Sequence, residues 1–258
     1  VEGAGMPVFL ETPSVGPHFH LLTSALAYSP DGSLLAAASG EDAVRVWRVA
    51  DGSLLHDLTG HQGLVDLVAF LPDGGSIVTA GRDGTVRLWR AESGMSVAVV
   101  ERANNAIKDL DGLLSARIAI SPDGRVVAAC FSDGVIRILA ADDGRELATL
   151  VSDDTAILAI SYSPDGRLLA STHADQSVRV WNVAAAKLFA TAHGHASPVT
   201  TVAFSPDGAT LVSGAADGEI RWWDATDTGG EVVLRGNGES VLEVRWSADG
   251  RLLAAAAS

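Results

Sequence analysis

Residues 194–224 read GHASPVTTVAFSPDGATLVSGAADGEIRWWD, and this stretch decides the architecture. From Pro198, PVTTVAFS is apolar and rich in β-branched residues, SPDG makes a turn, and ATLVSGAA is a second extended run. Asp217-Gly218 turns the chain into EIRWWDA, and a linker of Asp, Thr and Gly leads to a fourth run, EVVLRG. Short runs joined by Pro, Asp and Gly turns make an antiparallel meander, because apolar spacing nowhere holds the period of a helix.

The unit recurs. Ser-Pro-Asp-Gly or a close variant ends at Gly32, Gly74, Gly124, Gly166, Gly208 and Gly250, at spacings of 42, 50, 42, 42 and 42. Sixteen residues after each of the first five Asp stands Trp47, Trp89, Leu139, Trp181 or Trp223, inside VRVW, VRLW, IRIL, VRVW and IRWW. One such sheet cannot bury both of its apolar faces. Several arranged radially can, each packing on its neighbour and leaving only short edges exposed.

These residues resemble the WD-repeat β-propeller family. The resemblance rests on Gly60-His61 and Gly194-His195, the SPDG turns, the Asp-to-Trp spacing and the Trp223-Asp224 dipeptide, and it covers about residues 21 to 258. SPDG turns also occur in propellers of the TolB type; the in-phase tryptophans and Gly-His pairs favour the WD family. The expected fold is all-β, with about five complete four-stranded blades and a partial sixth, closed or flanked by an N-terminal strand, from a six- or seven-bladed parent. As one propeller it divides into a strand and loop at 1–20, repeats near 21–60, 61–112, 113–153, 154–195 and 196–237, and a partial repeat at 238–258. MPVFLE (Met6 to Glu11) reads as a fourth strand with no preceding three. Val1 in place of an initiator Met, and a sixth repeat that stops after strand two, fit an incomplete chain; residues 1 to 258 alone are expected to be marginal or aggregating.

The resemblance implies a buried hydrogen-bonded tetrad in each regular blade: a His in the entering loop, a Ser or Thr on strand two, the Asp of the next turn and the strand-three Trp. The pattern is full twice, as His61, Thr79, Asp83 and Trp89 and as His195, Ser213, Asp217 and Trp223. An ionised Asp accepting from an imidazole N–H in a dry site is worth roughly 1.5–3 kcal/mol. Blade four keeps Ser171, Asp175 and Trp181 but has Asp153 where His belongs; blade one offers Glu41, Ala37 and Trp47; blade three has Leu139 for Trp. Those three copies are degenerate, and their blades are expected to be held more by packing alone.

A catalytic triad built on His61 or His195 fails, because the Ser or Thr sits in mid-strand without an exposed nucleophile turn. His18 with His20, and His193 with His195, have no carboxylate or thiolate cluster near them in sequence, so no metal is expected. No cofactor motif is present either. Cys130 reads as a small buried hydrophobe. Arg45, Arg87, Arg137, Arg179 and Arg221 come one per blade, spread round the rotor and not gathered in a basic stripe, and each can pair with neighbouring-blade acids.

The chain of 258 residues carries 18 basic and 32 acidic residues, a net charge of −14, with basic residues spread singly. That balance disfavours nucleic acid and anionic membranes as partners. At 47% hydrophobic residues there is ample material for a core, and no apolar run approaches a membrane span. One cysteine and no signal peptide make a cytoplasmic location the expectation.

The turns after strands one and three share one face, which carries Asp31, Asp73, Asp123, Asp165, Asp207 and Asp249 and should be acidic. Turn chemistry accounts for these Asp better than a basic partner does. The 50-residue gap is more informative, because its eight extra residues fall in the loop Glu101 to Gly112, ERANNAIKDLDG, on the opposite face. Arg102, Asn104, Asn105 and Lys108 there, with His18, Phe19 and His20, are the candidate partner-binding residues. A binding loop and a neutral insertion both fit at this point.

The reading is a non-catalytic protein-interaction scaffold or regulatory module. The composition resembles bacterial WD-repeat regions joined to signalling kinase, NTPase or protease-like domains. The competing class is a propeller hydrolase or dehydrogenase with a substrate funnel, which needs convergent acids, bases or a cofactor motif.

Overall fold

The computed structural model describes residues 25–38, 42–101, 117–131, 134–152, 155–226, 232–235 and 238–257. Every regular element among them is a strand, and the chain divides into two compact units, Val1–Glu101 and Arg102–Ser258.

The first unit holds two four-stranded sheets. One is β1 (Ala25–Tyr28), β2 (Leu34–Ala38), β3 (Ala43–Arg48) and β4 (Leu54–Thr59); the next is β5 (Val65–Phe70), β6 (Ser76–Gly81), β7 (Thr85–Arg90) and β8 (Ser96–Glu101). The second unit continues with β9 (Arg117–Ile120), β10 (Val126–Cys130), β11 (Val135–Ala140) and β12 (Glu146–Val151). Then come β13 (Ile157–Tyr162), β14 (Leu168–His173), β15 (Val178–Asn182) and β16 (Lys187–Ala192), and β17 (Val199–Phe204), β18 (Thr210–Ala215), β19 (Glu219–Asp224) and β20 (Val232–Arg235). A last sheet pairs only β21 (Val241–Trp246) with β22 (Leu253–Ala257). All neighbours are antiparallel and follow chain order, so each sheet is a meander and a propeller blade, as the repeat predicts. MPVFLE lies outside the described residues.

Strand period explains why the central strands are apolar on both sides. On β18, Leu211 points with Trp223 into a core shared with Ala170, Val178 and Val180 of the preceding blade, while Val212 packs on Val241 and Val244 of the following one. In the first unit the same arrangement joins Val44, Val46 and Leu58 to Val65, Ile77 and Trp89. The sheet of β17 to β20 is thus a wall between two cores.

The SPDG sequence builds one turn repeatedly. Ser29 Oγ donates to Asp31 Oδ1 at 2.6 Å, the same carboxylate oxygen accepts the Ser33 N–H at 3.0 Å, and Ser29 Oγ accepts the Leu34 N–H at 2.8 Å. Gly32 closes the turn onto the Ser29 carbonyl with φ of +71°, where any side chain is strained. Ser121, Ser163, Ser205 and Ser247 repeat the bond to Asp123, Asp165, Asp207 and Asp249. Hydrogen bonds from Ser29 and the Ser33 backbone hold Asp31 down at a pKa of about 2, and the other four are lowered for the same reason. These carboxylates are ionised turn elements. The proline of one turn also packs against the glycine of the next: Pro30 Cδ stands 3.5 Å from where a Cβ on Gly74 would lie, and Pro122 repeats this at Gly166.

Candidate functional site

Four residues from four segments meet in blade two. His61, from the loop between β4 and β5, puts Nδ1 3.0 Å from Asp83 Oδ2 and Nε2 2.7 Å from Thr79 Oγ1. Trp89 Nε1 donates to Thr79 Oγ1 at 3.0 Å. An ionised Asp83 can only accept, so His61 carries its proton on Nδ1, Nε2 accepts from the Thr79 hydroxyl, and that hydroxyl accepts from Trp89. Asp83 also receives the Gln62 and Thr85 N–H groups and the Thr85 hydroxyl. Burial pushes its pKa up, but the bonds from His61, Gln62 and Thr85 outweigh that and leave it well below the ordinary carboxylate range.

Glycine makes room for this ring. A Cβ on Gly81 would stand 2.6 Å from His61 Nδ1 and 2.9 Å from Asp83 Oδ1. Gly60, at φ +141°, would place a Cβ 2.6 Å from the Arg87 guanidinium, which accounts for the Gly of the Gly-His pair. Gly81→Ala is therefore expected to cost about 1–3 kcal/mol by overpacking. Urea unfolding would check this; an unchanged midpoint would mean that the imidazole has space to move.

Blade five departs from the expected tetrad. His195 Nε2 lies 2.7 Å from Ser213 Oγ, which accepts from Trp223 Nε1 at 2.8 Å. Asp217, however, is exposed and accepts the Glu219 N–H instead of reaching the ring. The acid that faces His195 Nδ1 is Glu219, at 3.7 Å, and Nδ1 has no hydrogen-bond partner among the described residues. Glu219 occupies the position of Thr85. Its longer side chain fills the space beside the ring and pairs with Arg221 at 2.7 Å, so Asp217 lacks the hydroxyl that steadies Asp83. Burial first, then the Arg221 charge, lower the His195 pKa to about 4, against opposing pulls from Glu219 and Asp217.

Blade four corrects the expectation that packing alone holds it. His173, on strand two itself, turns its ring into the slot that His61 fills from a loop. Its Nε2 lies 2.8 Å from Ser171 Oγ, which accepts from Trp181 at 2.7 Å, and its Nδ1 lies 3.2 Å from Ser152 Oγ. Arg179 bonds Ser152 at 2.5 Å and Asp175 at 3.0 Å. Burial, then Arg179, bring the His173 pKa to about 4. The signal lay in the sequence: a His two residues after the strand-two Ser, in the position of Gly81, in the copy without a loop His.

In blade three Phe131 takes that position under the Arg137 guanidinium, 5.0 Å from its ring centre, and Leu139 is fully buried. In blade one, where Ala37 replaces the Ser or Thr, Trp47 Nε1 has no hydrogen-bond partner among the described residues. Four of the five arginines pair with acids of their own sheets: Arg45 with Asp57 at 3.2 Å, Arg137 with Glu146 at 3.8 Å, Arg179 with Asp175 and Arg221 with Glu219. For Arg45 the antiparallel register is the reason, since it sets Arg45 directly opposite Asp57.

The chemistry open to these groups is limited by burial. Thr79, Ser171 and Ser213 are fully buried, each bonded to a Trp and a His, out of reach of any substrate. Cys130 is buried as well. Open surface lies elsewhere. In the first unit a groove of about 760 Å³ runs between the turns of its two blades, with Asp31, Asp73, Glu92, Arg48 and His56 on its walls. The corresponding groove between Pro122 and Gly166 is about 380 Å³. Among the described residues no three His, Cys, Asp or Glu are placed to hold a metal ion, and no helix is long and apolar enough to cross a membrane. The candidate partner residues His18, Phe19, His20, Arg102, Asn104, Asn105 and Lys108 lie outside the described residues, as do Glu41 and Asp153.

A family profile described as WD domain, G-beta repeat, matches the chain in five places, residues 18–48, 52–90, 109–138, 144–182 and 186–224. A stretch of 37 residues is also 57% identical to part of a probable serine/threonine-protein kinase, PkwA, of Thermomonospora curvata; it covers 14% of this chain and 5% of the kinase's length.

Proposed function

The chain belongs to the WD-repeat family, and on that premise we propose that it is a non-catalytic scaffold that presents propeller loops to protein partners. The observation that carries the reading is the use made of the polar repeat residues. His61, Thr79, Asp83 and Trp89 in blade two, and the His, Ser and Trp of blades four and five, bond to one another inside the sheets. They stabilise the blades, and recognition falls to the variable loops.

The partner surface in this reading is the loop Glu101 to Gly112, through Arg102, Asn104, Asn105 and Lys108, with His18, Phe19 and His20 on the same face. The partner is a protein; a net charge of −14 opposes nucleic acid, and no cofactor is invoked. The short likeness to a probable protein kinase supports placing the scaffold in a signalling assembly of the cytoplasm, within a longer chain beside a kinase or NTPase domain.

Trimming Glu101 to Gly112 to the length of the other inter-blade loops is expected to abolish capture of the partner and leave the circular dichroism spectrum unchanged. Capture retained by the trimmed protein would move the binding surface to the turn face, where the groove beside Asp31 and Asp73 is the next candidate.

A further inference from the structure

Three imidazoles occupy equivalent slots in three blades, with different charges around them. At His61 a carboxylate meets Nδ1 directly, at 3.0 Å. At His195 the ring is fully buried, Nδ1 is unbonded, and the facing groups are Glu219 and Arg221 from β19 and Asp217 from the turn before it. Glu219 is already neutralised by Arg221 at 2.7 Å. At His173 the facing groups are Arg179 from β15 and Asp175 from the turn, and these two pair with each other at 3.0 Å. Arg87 stands in blade two where Arg221 stands in blade five, so the difference lies in the carboxylate: a proton added at His61 meets one bonded to the ring, whereas one added at His173 or His195 meets none.

We propose that blades four and five carry acid-operated latches: protonation of His173 and His195 frees the loops that enter those blades, while the loop at His61 stays closed. The geometry supplies the lever, because each ring ties an entry loop to the strand-two hydroxyl. His195 is itself part of its loop, and His173 bonds Ser152 at the start of its own. Release of the His195 ring leaves the Ser213 hydroxyl with only its Trp partner in the interior, and release of the His173 ring takes a partner from both Ser152 and Ser171.

Three equivalent backbone bonds report on the latches. Arg82 N–H bonds the Leu64 carbonyl at 2.8 Å, Ala174 N–H bonds Ala156 at 3.0 Å, and Ala216 N–H bonds Pro198 at 3.0 Å, each tying an entry loop to the turn after strand two. A His held near pKa 4 in the closed state and free to titrate near 6.5 in the open one favours opening as pH falls between those values. Stability from the neutral ring is complete above about 6.5 and lost on the way down to about 4.

Amide hydrogen exchange at pH 7 and pH 5, corrected for intrinsic rates, tests this directly. Protection of Ala174 and Ala216 is expected to fall roughly 20-fold, and that of Arg82 to stay within about twofold. Glu219→Thr restores the Thr85 arrangement, so Ala216 should then behave as Arg82 does while Ala174 keeps its acid response. His173→Gln should remove the response at Ala174 alone. Equal loss of protection at all three amides, or an unchanged response of Ala216 in Glu219→Thr, would overturn the proposal. The exchange measurement stands apart from the scaffold reading; only the consequence, release in acid of a partner held on these loops, rests on it.

Discussion

Trp89→Ala is expected to destabilise the first unit by about 3–5 kcal/mol, the largest loss we anticipate from a single substitution. The indole is 2% exposed and packs in the core shared by Val44, Val46, Leu58 and Ile77, so truncation opens a cavity that two sheets cannot close. It also removes the N–H that Thr79 accepts. Trp89→Phe separates the two contributions, since it keeps most of the packing and loses the donor; about 1–2 kcal/mol is expected. The same change at Trp47 should cost less, because Trp47 Nε1 has no partner among the described residues to lose. Denaturant unfolding of Trp47→Phe and Trp89→Phe side by side is the check, and equal losses would show that the bond to Thr79 contributes nothing.

Asp83→Ala is expected to cost about 2–3 kcal/mol, against about 0.5 kcal/mol or less for Asp217→Ala. The two residues hold the same place in the repeat, ten residues after the Asp of the preceding SPDG-type turn and six before a Trp. Yet Asp83 receives bonds from His61, Gln62 and Thr85, and its loss takes the charged acceptor from the imidazole N–H, leaving it the weaker Thr85 hydroxyl at 3.1 Å. Asp217 is exposed and receives a backbone N–H. Thermal melts of both variants decide the point: comparable shifts would mean that Asp217 does engage His195 in solution. Acid adds a second signature, since Asp83 is held below its ordinary range: stability from it is complete above that range and is lost as pH falls through and below it, so the gap between the parent protein and Asp83→Ala narrows in acid.

Much of the blade-two site was legible beforehand. A His in an entering loop, a Thr in mid-strand, an Asp in a tight turn and a Trp on the next strand are separated by whole strands and turns of nearly invariant length. Register alone therefore brings Thr79 opposite Arg87 and sets Trp89 opposite Ile77. Blade five has the same spacings and a different site. Asp217 and Glu219 lie two residues apart, one in the turn and one at the start of β19, and spacing does not say which carboxylate reaches the ring. His173 was missed for a related reason, because the imidazole enters its slot from the strand and not from the loop where repeats one after another had placed it. The arginine pairings depended on cross-strand neighbours such as Asp57, whose register against Arg45 a list of positions does not reveal.

What the sequence by itself determined is the blade: the period of two along each strand, the Ser-Pro-Asp-Gly turn that closes through its own side chains, and the tryptophan phase that repeats them. These are local, since every bond of the SPDG turn joins residues no more than five apart. What only the tertiary structure decided is which partner each buried imidazole takes. That choice is a competition for one small polar slot among groups of different length. A Thr at position 85 leaves room for Asp83, a Glu at 219 takes the room itself, and a His at 173 fills it from below. Side-chain volume and the unfavourable energy of an unpaired polar atom in the interior settle the outcome, and both are properties of the packed blade.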